Sequence, residues 1–265
     1  MGQSRPETEL RGVDVAGPPD GQPIVFVHGA MFTRSMWAPQ REALADEYRV
    51  VAPDLPGHGD RREESFDLEP AMDVLEGVVD SAAGGHAVLV GLSLGGYLVA
   101  EYASRHPDQV DGLVVVGASA NPVRTMNLVT RAVGGIARVA TQSDVLEGVV
   151  RRLGERWVRN RDLPPAMEAE IIDAGIYPAE FGTPGPDLAG TNFRRKLTDY
   201  PGPTLIVNGE RDKIMRLGET EHAMAAGGDA DVVVLKDVGH VCNLHRPDDF
   251  TMLLRRFLGR RVAPT

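Results

Sequence analysis

The sequence predicts an α/β fold, a mostly parallel sheet flanked by helices, and three observations predict it. Short β-branched runs recur along the 265 residues. They are nearly all apolar rather than alternating, which suits strands buried on both faces of a parallel sheet. Segments with helical spacing separate them, and strand–helix alternation marks α/β architecture.

In chain order, "ELRGVDVAG" (9–17) adds an edge strand before the first parallel one, "IVFV" (24–27). "MWAPQREALADE" (36–47) has helical spacing, "RVVA" (49–52) is the next strand, and "EPAMDVLEGVVDSA" (69–82) the next helix. "AVLV" (87–90) leads into "GGYLVAEYASRHP", a helix that stops before Pro107 because the residue preceding a proline avoids helical backbone. "LVVV" (113–116) follows. The rhythm then breaks after Ala118, and no strand pattern runs from Pro122 to Tyr200. Met126, Val129, Val133, Ile136 and Ala140 follow helical spacing, as do Leu146, Val149, Val150, Leu153 and Trp157. "PPAMEAEIIDAGIY" (164–177) is a third helix opened by Pro165, and "FGTPGPDLAG" (181–190) a Gly/Pro loop. Residues 121–199 are thus expected as a helical insertion over one end of the sheet. The core is 1–120 and 200–265, completed by "TLIV" (204–207) and "VVVL" (232–235).

Composition narrows the function. Hydrophobic residues make up 42% and charged residues 25%, as in an ordinary soluble globular protein. No apolar stretch approaches the roughly 20 residues that span a bilayer. "MGQSRPETEL" has no apolar signal region, and Pro6 stands where a myristoylation pattern needs Ser or Thr. With 28 basic and 38 acidic residues the net charge is −10. That argues against nucleic acid or anionic membrane as main partner, since both need a basic footprint; the acidic faces read as solvated. Cys242 is the only cysteine, so an internal disulfide and a thiolate metal cluster are excluded. A cytoplasmic protein is expected, and a homo-oligomer stays open.

"GLSLGG" fits G-x-S-x-G through Gly91, Ser93 and Gly95, in the strand–turn–helix context that pattern requires. Side chains at Gly91 and Gly95 would clash in so tight a turn. The turn lifts the Ser93 hydroxyl above the sheet, at a helix N-terminus that favours negative charge. A structural Gly-Ser turn is the competing interpretation.

A serine hydroxyl needs a base, and His240 follows the strand "VVVL" at the same sheet edge. His245, deeper in the next segment, is the rival. The base needs a carboxylate to fix its tautomer. Asp212 is chosen over Glu210 because it sits farther into the loop after "TLIV"; the strand "LVVVGAS" carries no acid at its end. An oxyanion needs donors: the N–H of Leu94, and one from "VFVHGAMF", where Ala30 is favoured and Met31 is next. His28 is expected to hold that loop by hydrogen bonds.

Together these residues resemble the α/β-hydrolase superfamily. The resemblance covers nearly the whole chain: the "HGA" loop with Trp37 downstream, "DLPGHG" at 54–59, "GLSLGG", "GERD" at 209–212 and "GH" at 239–240, with Ser, Asp and His in the family order. It implies that 121–199 is a cap. Asp60 stands where "DLPGHG" usually runs on into a serine, a departure expected to affect the loop surface and cap contacts.

A serine speaks against relatives that attack with aspartate, the haloalkane dehalogenases and epoxide hydrolases, and against dienelactone hydrolases, which use cysteine. The expected reaction is two-step acyl transfer on an ester or lactone of a small, largely apolar molecule, without metal or organic cofactor. Met31, Phe32, Leu94, Met126, Val129, Trp157, Tyr177 and Phe193 are the expected pocket residues. Arg194, Arg195 and Lys196 either meet an acidic substrate or form a solvated face. Alternatives are a triad-dependent lyase or cyclase, a C–C bond hydrolase on a small metabolite, and a small-ligand sensor that retains the triad.

Overall fold

Seven strands form one sheet in the order β1-β3-β2-β4-β5-β6-β7. They are β1 (Val13–Ala16), β2 (Pro23–Val27), β3 (Arg49–Pro53), β4 (Ala87–Leu92), β5 (Val110–Val116), β6 (Thr204–Gly209) and β7 (Ala230–Leu235). The structure, a computed structural model, describes residues 11–123, 132, 135, 143–181, 188–227 and 230–262. β1 pairs with β3 antiparallel, and every other pairing is parallel.

Each expected strand is present, and successive residues go to opposite faces. Val25, Val27, Leu89, Leu113 and Val115 join one apolar cluster. Ile24, Phe26, Val88, Val90, Val114 and Val116 join the other. Burying such a side chain contributes about 1.5–3 kcal/mol, which is why these runs are apolar without alternation. The last run departs from that expectation. β7 is an edge strand with β6 as its sheet neighbour, and Val232 and Val234 remain 39% and 37% exposed.

The α-helices bounded within the described residues are α1 (Ala38–Leu44), α2 (Leu68–Ser81), α3 (Leu94–Arg105), α4 (Asp144–Arg159), α5 (Pro165–Asp173), α6 (Phe193–Asp199), α7 (Glu219–Ala225), the single turn α8 (Cys242–His245) and α9 (Pro247–Arg261). Asp67 caps α2 by accepting from Leu68 N at 2.7 Å. α5 ends short of the expected 177 because Gly175 takes φ +94°, a conformation that suits glycine and stops the helix.

Within 121–199, α4 has the expected spacing but not the expected packing. Gly148 and Val158 are its buried residues, while Val145, Leu146 and Leu153 are 75%, 50% and 60% exposed. α6 packs along α3, and its Phe193 and Leu197 join the cluster that covers the sheet. That helix therefore belongs to the layer flanking the sheet rather than to a roof above its end. Met126, Val129, Val133, Ile136 and Ala140 lie outside the described residues, as does most of the 181–190 loop. Among the described residues no helix is long and apolar enough to cross a membrane.

The strand order sets the position of the site. From β2 the chain winds outward to β3, then returns past β2 to β4 and continues to β7. Neighbouring connections leave in opposite directions at β2 and β4. In open α/β sheets such a reversal opens a crevice at the carboxyl ends of the strands, where ligands bind.

Candidate active site

The turn after β4 ends at that crevice. Between Ala87 and Ala103 every residue is buried except Ser93. Ser93 has φ 56° and ψ −114°, a strained backbone for a residue with a Cβ. Its N–H donates to Val116 O at 2.8 Å and its carbonyl accepts from Tyr97 N at 3.2 Å. The glycines explain how the strain is accommodated. A Cβ on Gly91 would lie 2.1 Å from Gly95 O, and one on Gly95 would lie 2.2 Å from Val27 O. The turn thus presses against both its own strand and the end of β2.

The loop after β2 faces it. Leu55 N donates to His28 Nε2 at 2.9 Å, so Nδ1 carries the ring proton and donates to Gly29 O at 2.9 Å. Burial, then the neighbouring His58, pushes the His28 pKa well down, which keeps the ring neutral for this role. Gly29 O also accepts from Phe32 N at 3.1 Å. Two donors on that carbonyl fix the Gly29–Ala30 peptide plane, and in a trans peptide the Ala30 N–H then points the opposite way. Leu94 N–H opens α3 with no preceding turn to bond. Both amides lie at the end of the crevice where the Ser93 turn meets β2.

The structure also brings in His58, whose role was not evident from the "DLPGHG" string. Its Nε2 lies 2.9 Å from Ala30 O and its Nδ1 2.9 Å from Pro56 O, and its ring packs edge-on to His28 at 4.7 Å. Asp60, the departure from the family string, pairs with Arg34 at 2.9 Å and donates its N–H to Asp54 at 2.9 Å. Asp54 is wholly buried and also bonds the Arg34 amide and guanidinium. Asp60 thus closes an ion cluster beneath the loop.

On the other side of the crevice, His240 Nδ1 meets Asp212 Oδ2 at 2.5 Å. The His240 ring lies over Gly117, where a Cβ would sit 3.1 Å from ring atoms. Gly117 follows Val116, which binds Ser93 N, so the end of β5 places Ser93 and His240 on adjacent residues. Asp212 Oδ1 accepts from Met215 N at 3.4 Å. Each rival group is engaged elsewhere. Glu210 Oε2 accepts from Asp237 N at 3.0 Å, and His245 Nδ1 accepts from Gly239 N at 3.3 Å. Cys242 is buried, and burial with the charge of Asp212 raises its thiol to about 12, which leaves it without thiolate character.

Four of the expected pocket residues come together, all half-buried: Met31, Phe32, Trp157 and Tyr177. Tyr177 N donates to Met31 O at 2.9 Å, which ties the insertion to the loop after β2. Phe32 and Trp157 stack at 6.4 Å, with the Arg161 guanidinium 4.5 Å from the Trp157 ring centroid. Phe193 stands apart from them, 2% exposed and packed on Tyr97 at 4.6 Å. Met126 and Val129 are outside the described residues. Lys196 pairs with Glu101 at 3.0 Å, and Arg194 lies 3.9 Å from Glu221. Among the described residues no group of three or more His, Cys, Asp or Glu is arranged to hold a metal ion.

The model of the alpha/beta hydrolase family matches residues 24–252. The chain belongs to this family. Curated relatives of the hydrolase include esterases. It is 29% identical over 245 residues to the pimeloyl-[acyl-carrier protein] methyl ester esterase of Aromatoleum aromaticum, covering 87% of this chain and 96% of that one. To the carboxylesterase YbfK of Bacillus subtilis it is 25% identical over 261 residues, 92% of this chain and 82% of the relative. A thermophilic esterase from Thermogutta terrifontis superposes with a TM-score of 0.71 at 26% identity, covering 94% of this chain and 92% of that one.

Proposed function

We propose that this hydrolase is a serine esterase or lactonase acting on a small, largely apolar substrate. The observation that carries the proposal is the pairing of an accessible Ser93 on a strained turn with the Asp212–His240 contact at 2.5 Å, both at the carboxyl edge of β5. The esterase names of the relatives support the same chemistry.

Ser93 Oγ attacks the carbonyl carbon while His240 Nε2 takes its proton. Asp212, bonded to Nδ1, fixes the tautomer that leaves Nε2 free to accept it and stabilises the imidazolium. The N–H groups of Leu94 and Ala30 hold the developing oxyanion. His240 returns the proton to the leaving alkoxide, and the acyl group stays on Ser93. Water then adds to the acyl carbonyl as His240 takes its proton, the C–Oγ bond breaks, and the proton passes to Ser93 as the acid leaves. Met31, Phe32, Trp157 and Tyr177 form the apolar wall, with part of 121–199 acting as cap. The sequence draws on no metal or cofactor.

The test is turnover of short-chain p-nitrophenyl esters and lactones in ¹⁸O-water. The proposal expects one ¹⁸O in the released acid and loss of turnover in Ser93→Ala. Unchanged turnover in Ser93→Ala, or product formed without uptake of water, as a lyase or cyclase would give, overturns it.

A further inference from the structure

A second polar cluster lies beside the acid loop. Asn208, at the end of β6, and Ser119, just past β5, are both wholly buried. Asn208 Nδ2 donates to Ser119 Oγ and to Glu219 Oε2, each at 3.1 Å. Glu219, the first residue of α7, grips Arg216 at two points: Oε2 accepts from Nε at 3.0 Å and Oε1 from Nη2 at 2.8 Å. Arg216 in turn holds the loop on both sides of its acid. Its N–H donates to Asp212 O at 3.2 Å and its Nη1 to Glu210 O at 3.3 Å. The bonds therefore run without a break from β5 through β6 and α7 to the backbone of Asp212.

Charge gives the cluster a second consequence. Arg216 is a cation within electrostatic range of Glu210 and Asp212 as well as Glu219. Of the other cations near the acid loop, Arg194 reaches over Gly218 and faces Glu221, Arg211 pairs with Asp237 at 2.9 Å, and Lys213 follows Asp212 on the loop itself, exposed to solvent. His222, also on α7, donates from Nδ1 to Gly218 O and is kept neutral by burial. With Glu219 in place the guanidinium is turned to that carboxylate and to Glu210 O, and Asp212 keeps one oxygen for His240. Without that carboxylate, the remaining anions within range of Arg216 are Glu210 and Asp212 itself. A cation drawn to Asp212 would compete with the imidazolium for the same carboxylate.

We infer that Glu219 is a positioning residue for the hydrolytic reaction: bound to Asn208, it holds the acid loop and keeps the Arg216 guanidinium off Asp212. The inference rests on the assignment of Ser93, His240 and Asp212 as the triad.

The experiment compares Glu219→Gln, Glu219→Asp, Arg216→Met and the double variant Glu219→Gln/Arg216→Met, with kcat and KM for a p-nitrophenyl ester measured across pH and melting temperature as a check of folding. Glu219→Gln is expected to lower kcat by up to about 10²-fold, the scale of a catalytic group displaced by about 1 Å, with KM little changed. The acid limb of kcat/KM, which reports the free enzyme's base, should move down by about one unit as the competing cation disfavours the imidazolium. Glu219→Asp keeps the charge and should hold the limb in place. The double variant, which removes the competing cation but not the loss of the loop's hold, should restore the acid limb and recover part of the lost kcat. A Glu219→Gln enzyme with unaltered kcat and acid limb overturns the inference, and so does a double variant no better than the single one. Ester turnover that survives in Ser93→Ala would instead remove the triad assignment, whatever Glu219 does.

Discussion

The Ser93 turn and helix α4 both contain glycine, and they are built on opposite principles. At the turn Gly91 and Gly95 are each required by a backbone atom, 2.1 and 2.2 Å from where a Cβ would be. The residues around Ser93 are buried to Ala103, and their places are fixed from β2 and β5. In α4, Gly148 has open space beside it, and Val145, Leu146, Val149, Val150 and Leu153 are exposed to solvent. The difference separates what must be rigid from what is free to vary. Chemistry needs reacting groups held to fractions of an ångström. The insertion meets the loop after β2 through a few contacts, Tyr177 on Met31 and Trp157 on Phe32.

Substitutions can break that contrast, and the largest effect is expected at the turn. Ser93→Ala should lower kcat on the order of 10⁶-fold, as loss of a triad nucleophile does, with the fold kept. Next, Asp212→Asn should cost roughly 10³–10⁴ in kcat, while Glu210→Gln, whose carboxylate serves the Asp237 amide, should be mild. Kinetics with one ester decide both, and the reverse ranking of the two acids would move the acid to Glu210.

Two aromatic residues sharpen the comparison. Phe193→Ala should lower stability by about 3–5 kcal/mol, the cost of truncating a buried aromatic side chain, and leave the ester chain-length profile unchanged. Trp157→Ala should do the opposite, raising KM more than it lowers kcat and shifting preference towards bulkier acyl groups. Denaturant unfolding and a chain-length series on both variants test this. A changed profile in Phe193→Ala, with stability retained, would return that residue to the pocket wall. Smaller still, Gly95→Ala should cost about 1–3 kcal/mol by overpacking against β2. Leu153→Ala, on the exposed face of α4, should stay within about 0.5 kcal/mol. Equal losses at these two positions would erase the distinction between turn and insertion.

The contrast also explains what could be read from the sequence. The strands were visible because two-sided burial leaves no polar positions in "IVFV" or "AVLV". Ser93, Asp212 and His240 stand out as candidates because each follows a strand whose end lies at one sheet edge. Loop depth alone favours Asp212 over Glu210 in the sequence; in the structure Asp212 meets His240 while Glu210 serves the Asp237 amide. His58 was hidden because its partner Ala30 lies on another loop that only the fold brings beside it, while Pro56 is in its own string. Glu219 was hidden for the same reason, although its i,i+3 spacing from Arg216 was there to be noticed. Helical spacing identified α4 and α5 but not their surroundings, since periodicity reports an apolar face and not what covers it, and α6 carried no expected helix at all. That limit put Phe193 among the roof residues when it packs under Tyr97, and gave β7 two buried faces when it is an edge.

The central claim is that one hydroxyl, Ser93, is the activated nucleophile. Mass-spectrometric mapping of the protein after treatment with a fluorophosphonate tests it most directly, because the reagent needs both an activated serine and an oxyanion hole. A single adduct on the peptide that carries Ser93, absent from Ser93→Ala and weakened in Asp212→Asn, is the predicted result. An adduct at any other residue, or none while ester hydrolysis proceeds, would contradict it.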